Sequence, residues 1–308
     1  MIKYGPMIGL GVGLGTAARL STLKIDYRQY PGYPHGYIVH ITLGFIAAAL
    51  GTLVLPALLE TNYIAATFLG AAAQQFRGIR TMERKFLMEI ENTELVPRSE
   101  AYIEGIAQVF EARNYLAMIT AMVTTFGYYS GELLYLSLGG KIVLGISFGL
   151  VVGYLLYRKM DPQTIGDIAD VKVTELEFSG PRGKNIAIEG VVLMNVGLEE
   201  ALQAWQESGL GVIVEPKDKD ARATLANIGQ RQAIIHDVVT QLGVKLDVGV
   251  QEYTPLARLD LERGKVYIII RPMEKSPACI KKAVETTPVL ENSRRRPLQS
   301  TAGRQASD

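Results

Sequence analysis

The stretch "YIVHITLGFIAAALGTLVLPALL", residues 37–59, holds no Asp, Glu, Lys or Arg. It constrains the chain more than any other feature. A helix needs roughly 20 predominantly apolar residues to cross a bilayer, because the hydrocarbon core is about 30 Å thick and each residue advances about 1.5 Å. A run this long and uniform fits neither a strand nor a half-exposed helix. The bulk numbers agree. Charged residues make up 20% of the 308 and apolar ones 48%, where soluble domains carry about 25% charged.

Four further segments are expected to span. Residues 115–138 ("YLAMITAMVTTFGYYSGELLYLSL") and 142–157 ("IVLGISFGLVVGYLLY") are joined by "GGK" as a helical hairpin. Arg158 and Lys159 end the second of them, and Tyr128, Tyr129, Tyr135, Tyr154 and Tyr157 suit interfacial belts. Residues 4–18 and 63–76 are shorter candidates. If all five cross, Arg19, Lys24, Arg28, Arg77, Arg80, Arg84, Lys85, Arg98 and Arg113 share a side with the C-terminal region, leaving Lys3 and Lys141 opposite. Cytoplasmic loops carry the excess of Lys and Arg. The expectation is therefore a multi-pass cell-membrane protein, N-terminus outside and C-terminal domain cytoplasmic.

The fold class read from this pattern is an α-helical membrane domain of about five transmembrane helices (1–159), followed by a cytoplasmic α/β or α+β domain (160–290). Within the latter, 171–178, 185–194, 211–215, 245–253 and 265–272 read as strands, and 197–209 and 220–243 as helices. The polar, aperiodic end, 291–308, reads as a disordered tail. A net charge of +1 offers nothing for nucleic acid. The partners implied are the lipid bilayer and a protein.

Motifs that resemble catalytic signatures fail in context. "GLGVGLG" (9–15) has no preceding strand, and its glycines at four-residue spacing suit helix packing. "GISFG" (145–149) matches a nucleophile elbow but places Ser147 in an apolar helix. One cysteine, Cys279, excludes an intrachain disulfide and a multi-cysteine metal site. His35 and His40 are poorly spaced for a metal, and His236 reads as a satisfied polar face. No cofactor and no metal site are expected.

Carboxylates remain. Asp26, between Lys24 and Arg28, lies in the Tyr-, Pro- and His-rich "KIDYRQYPGYPHGY" (24–37). Asp167 and Asp170, three apart just past the last apolar segment, would share one face of a helix and could share a proton. Glu132 lies inside a span or at its edge. Residues 99–114 read as an amphipathic interfacial helix. Ser99 is its cap, and Ile103, Ile106, Ala107 and Phe110 form one stripe. Glu100, Glu104, Gln108 and Glu111 form the other. Gly105 costs roughly 1 kcal/mol relative to alanine inside a helix and makes sense if something packs against it. Asp26, Glu104, Glu111, Asp167 and Asp170 are the candidate catalytic residues.

The hexapeptide in "AYIEGIA" (101–107) resembles the signature of the YIEGIA family of integral membrane proteins. "DYRQYPGYPHGYIVHITLGFIAAALG" (26–51), "RGIRTMER" (77–84) and "FEARNY" (110–115) are similar to the family's other shared blocks. The resemblance implies a membrane protein of endospore-forming Firmicutes acting in sporulation. It implies a membrane protease, of the aspartic kind, held in check by small partner proteins, or a regulator of spore-protein turnover. The residues alone equally allow a non-catalytic anchor whose cytoplasmic domain recruits partners during spore assembly.

Overall fold

The structure, a computed structural model, describes residues 4–23, 34–61, 63–90, 98–160, 163–243, 246–247, 250–251, 255–273 and 275–305. It forms two compact units, one of residues 1–85 with 107–161 and one of 86–106 with 162–308.

The first unit is helical. Its helices are α1 (Gly5–Leu20), α2 (Pro34–Leu59), α3 (Tyr63–Arg77), α4 (Ile79–Ile90), α5 (Glu100–Leu133) and α6 (Leu138–Met160). The end of α4 and the first turns of α5 belong to the second unit. The expectation of five spanning helices is corrected here. Among the described residues two helices, Tyr37–Leu59 within α2 and Leu138–Met160, are long and apolar enough to cross a membrane. The 16 residues of α1 and 15 of α3 reach only about 24 and 22 Å, short of a hydrocarbon core of about 30 Å. Helix α5 has length to spare, but Thr120, Thr124, Thr125, Ser130 and Glu132 dilute its apolar run. Three of those hydroxyls are met locally: Thr124 Oγ1 donates to the Thr120 carbonyl and Thr125 Oγ1 to that of Met122, each at 2.7 Å, and Ser130 Oγ to that of Phe126 at 2.8 Å.

Small residues let these helices approach. A Cβ on Gly11 would stand 2.7 Å from Thr52 Oγ1, and one on Gly15 2.7 Å from the Ala117 carbonyl oxygen. Gly51 lies against the Met118 backbone and Gly149 against Thr124 and Leu14. Nothing stands within 4 Å of Gly9 or Gly13, so half of the "GLGVGLG" surface packs and half is open. Ser147 donates to the Val143 carbonyl at 2.8 Å, as a serine in a helix does.

The expected interfacial helix, 99–114, runs on without a break as the start of α5. Tyr102, Ile103, Ile106, Val109 and Phe110 are buried, and so are Arg113 and Asn114. This face is packed rather than laid along an interface. Asn292 is what approaches Gly105, its Oδ1 lying 2.8 Å from where a Cβ would be.

The second unit is built on an antiparallel sheet in the order β1-β5-β9-β8 (β1 Ala169–Thr174, β5 Leu210–Pro216, β9 Val266–Ile270, β8 Leu256–Leu259). A second antiparallel sheet holds β2 (Glu177–Ser179), β3 (Asn185–Ile188) and β4 (Val191–Asn195). Antiparallel pairing with helices on the faces is an α+β arrangement. The central strands are buried on both sides, hence the unbroken apolar runs "GVIV" and "VYIII". Alternation divides their side chains between two cores. Val212, Val214, Ile268 and Ile270 meet Ile234, Ile235 and Val238 of the Ile228–Leu242 helix and Ile280 and Val284 of the Pro277–Thr286 helix. Ile213, Tyr267 and Ile269 meet Ile186, Ile188, Leu202 and Trp205. Each such side chain fully buried contributes about 1.5–3 kcal/mol.

Three expected elements divide. The strand expected at 171–178 splits between the two sheets. The one expected at 185–194 folds back at Glu189 and Gly190, both at positive φ (48° and 76°), a two-residue hairpin. The helix expected at 220–243 breaks at Asn227, whose side chain accepts from the Gln230 amide at 3.1 Å and caps the second half. The expected disordered end is ordered as far as residue 305 by helical turns at Glu291–Ser293, Pro297–Gln299 and Thr301–Gln305.

Glu189 is held in its left-handed conformation from outside the turn. Its carboxylate accepts from Tyr267 Oη at 2.8 Å and faces Lys265 at 3.3 Å and Arg263 at 3.7 Å. Glu177 accepts from the Glu189 and Gly190 amides at 3.1 and 3.0 Å. The Tyr267 hydrogen bond, helped by the two cations, holds the Glu189 carboxyl below its ordinary range. A depressed carboxyl stabilises the fold above its unfolded pKa of about 4.3, and that stability is lost as pH falls through the folded value. Chemical denaturation of the second unit should show this acid-side loss in the wild type, and Glu189→Gln should flatten it. An unchanged pH profile in the variant would contradict the assignment.

Candidate functional site

The five candidate carboxylates do not converge in the described structure. Asp26 lies outside the described residues. Glu104 is half-buried on α5. Glu111 pairs with Arg80 at 3.8 Å. Asp167 is the third residue of the one-turn helix Ile165–Ile168, and its Oδ2 accepts from the amide and hydroxyl of Thr164 at 2.7 and 2.9 Å. That is a capping box, a structural duty. Asp170 stands on β1, its side chain 80% exposed, with Lys217 at 4.0 Å. The helix ends at Ile168, so the three-residue spacing no longer sets the two aspartates on one helical face, and each keeps a partner of its own.

What the first unit does bring together is Arg19 and His40 against the Phe110 ring, with Asn114 bonded to Arg19 and Glu83 within electrostatic range of His40. Arg19, at the end of α1, is 1% exposed. Its Nε donates to Asn114 Oδ1 at 3.2 Å and its Nη1 to Thr22 Oγ1 at 2.8 Å. Its guanidinium carbon sits 5.4 Å from the Phe110 ring centroid, a cation–π contact. The chain of Arg19 crosses α2 at Gly44, where a Cβ would collide with it. His40, one turn earlier on α2, is 4.8 Å from the same ring, centroid to centroid. His40 lies within electrostatic range of both Arg19 and Glu83. Glu83, His40, Arg113 and Asn114 are all buried.

Four helices thus contribute: α1 gives Arg19, α2 His40, α4 Glu83, and α5 Phe110 and Asn114. An ionised group removed from water costs several kcal/mol unless matched, and groups of this kind often mark sites of function. An acid, an imidazole and a guanidinium offer a proton acceptor, a hydrogen-bond donor and fixed positive charge. Spacing could not have found this set, because its members come from four helices. Position could have. Arg19 ends one apolar segment, His40 starts another, and Glu83 and Asn114 stand inside the blocks "RGIRTMER" and "FEARNY".

The second unit has a buried polar staple of a different kind. Gln230 Oε1 accepts from the Leu290 amide at 2.7 Å and Ser293 Oγ at 2.9 Å, while its Nε2 donates to the Pro288 carbonyl at 3.2 Å. Thr287 donates to Asp237 at 3.0 Å. These bonds dock the segment around residues 287–293 onto the Ile228–Leu242 helix, and their completeness reads as structure rather than chemistry.

A largely helical unit with two membrane-capable helices, joined to an antiparallel-sheet unit, is the class the fold defines. The model of the family described as "YIEGIA protein" matches residues 7–300. The chain therefore belongs to the YIEGIA family. It is 41% identical over 300 residues to a protein of Bacillus subtilis (strain 168) described as "Uncharacterized protein YphB", covering 97% of each chain; this supports a Firmicutes origin. No solved structure matches it.

Arg19→Lys tests the packed centre. Lysine keeps the charge but loses the planar Nε–H to Asn114 and the stacking on Phe110. Removing one partner from a buried charged network costs about 3–5 kcal/mol. Thermal denaturation of the detergent-purified chain should show a markedly lower midpoint; a midpoint equal to the wild type would remove Arg19 from its central place.

Proposed function

We propose that this chain is a membrane protein of the sporulating cell that governs the turnover of other proteins there, acting as a membrane-embedded protease. The observation that carries this reading is the enclosed set of Arg19, His40 and Glu83 among the helices of the first unit, a costly arrangement that packing alone does not require. Glu83 is the group suited to take a proton from water, and His40 the group suited to polarise a carbonyl. Membership of the YIEGIA family lends the sporulation setting its support.

A second reading has an observation of its own. Asp167 serves as a cap and Asp170 faces solvent, while the second unit has two complete cores. That favours a non-catalytic anchor whose C-terminal domain recruits partners. In either case the second unit faces the cytoplasm, since Arg158 and Lys159 close α6. The expectation of an external N-terminus rested on five crossings and falls with that count.

The two readings part in the proteome of sporulating cells. Under the protease reading a specific protein accumulates when the chain is deleted, and again in a Glu83→Gln strain. Accumulation on deletion but not with Glu83→Gln favours the anchor, and no accumulation in either sinks the protease. A phosphatase reporter fused after Gln305 should stay inactive; activity would place the second unit outside.

A further inference from the structure

A groove lies between α1, α5 and α6 in the first unit, with a volume of about 320 Å³. That is within the range of about 300–1,000 Å³ typical of ligand sites. Leu14, Leu116 and Leu150 give it apolar walls, and Ala17 on α1 and Gly153 on α6 leave it room. Two further observations say what it holds.

The first is an unmatched hydroxyl. Thr120 lines the groove and is 1% exposed, yet its Oγ1 has no hydrogen-bond partner among the described residues. Thr124, one turn on, bonds back to the Thr120 carbonyl; Thr120 does not do likewise. A Cβ on Gly153 would stand 3.2 Å from Thr120 Oγ1, so glycine there keeps the approach to the hydroxyl open. A buried hydroxyl left unmatched is costly, and a ligand that brings an acceptor removes the cost. The second observation is charge. Tyr154 and Tyr157 line the groove, and Arg158 and Lys159 follow in the last turn of α6. Both cations are exposed and make no ion pair among the described residues. Arg158, four residues beyond Tyr154, lies on the same side of the helix.

We propose that this groove binds one anionic glycerophospholipid, its phosphate at Arg158 and Lys159, an ester carbonyl accepting from Thr120 and an acyl chain along the leucines. The depths agree. Five residues separate Gly153, beside the Thr120 hydroxyl, from Arg158, a rise of about 7–8 Å. The polar layer of a bilayer, which ends at the ester groups, is about 5–7 Å deep on each side. Basic sites between helices on the cytoplasmic side take anionic head groups. An apolar peptide would bring many backbone polar groups to a single donor and leave both cations unneutralised. The inference rests on α6 crossing a membrane and is independent of the protease reading.

The test uses the full chain in neutral detergent micelles, titrated with fluorescently labelled phosphatidylglycerol and, in parallel, phosphatidylcholine. The wild type should prefer phosphatidylglycerol, which should raise its melting midpoint. Arg158→Gln with Lys159→Gln should lower that affinity about thirtyfold and abolish the preference, at about 1 kcal/mol for each cation. Ala17→Trp, at an exposed position on the groove, should weaken both lipids about tenfold. Thr120→Val keeps the side-chain shape. It should weaken phosphatidylglycerol about fivefold, while the midpoint without lipid holds or rises because an unmatched hydroxyl has gone. Equal affinity of the wild type for the two lipids overturns the proposal, as does unchanged affinity in Thr120→Val. Alkaline carbonate separates the premise from the site. A chain washed off membranes without detergent overturns the crossing, whereas one that stays and binds no phosphatidylglycerol overturns the site alone.

Discussion

The helical unit turns on a buried guanidinium. Arg19 has almost no contact with solvent, yet its charge must be matched. The groups that match it, Asn114, Thr22 and the face of Phe110, come from α1 and α5. Its stem fills the space at Gly44 on α2 that any larger residue would take. Three helices are thereby fixed at one level by one side chain. A planar group with five donors can serve several directions at once, which an ammonium cannot. The glycine contacts at Gly11, Gly15, Gly51 and Gly149 then set how closely the helices lie, since adding a Cβ at a packed position costs about 1–3 kcal/mol.

The second unit centres its packing on apolar strands and helices, with Asp237 and Arg271 buried beside them. Strands β5 and β9 serve two cores by alternation, which explains why 210–214 and, apart from Tyr267, all of 266–270 are apolar. The cost appears at the periphery, where a non-glycine residue takes a left-handed conformation at Glu189. Such strain, about 1–3 kcal/mol, persists only where neighbours over-determine it. Here Tyr267, Lys265 and Glu177 do so, tying the small sheet to the large one.

Sequence patterns revealed what depends on composition over many residues. The run at 37–59, the strands "GVIVE" and "KVYIIIRP" and the packing value of Gly105 could all be read directly, whereas "GGK", expected as a linker, lies in the first turn of α6 and the chain turns at 134–137. They concealed what depends on a single residue's partner. "NIAIEGVVLM" reads as one strand because glutamate is a poor turn marker, and the residues that hold the turn, Glu177, Lys265 and Tyr267, lie elsewhere in the chain. Asn227 breaks a helix that periodicity carries straight through. Residues 291–305 look unstructured because their anchors are single polar residues far along the chain, Gln230, Thr224 and Asp220, not an apolar pattern of their own. The span count failed for a different reason. The distribution of Lys and Arg counts the short segments 4–18 and 63–76 as crossings, although the rise of α1 and α3 falls short of a hydrocarbon core.

The same distinction decides where chemistry should be sought. A solvated glutamate on a helix face, or an aspartate capping a turn, costs the fold almost nothing, so its presence says little about purpose. Glu111, Asp167 and Asp170 are of this kind, each engaged by a nearby cation or amide. Glu83 and His40 are of the other kind. They are shut away from water at a cost that leucine in their place would avoid. Residues kept at such expense are the ones on which the proposed function rests. Spacing in the sequence pointed to the acids that are cheapest to keep, whereas burial points to those that are most expensive.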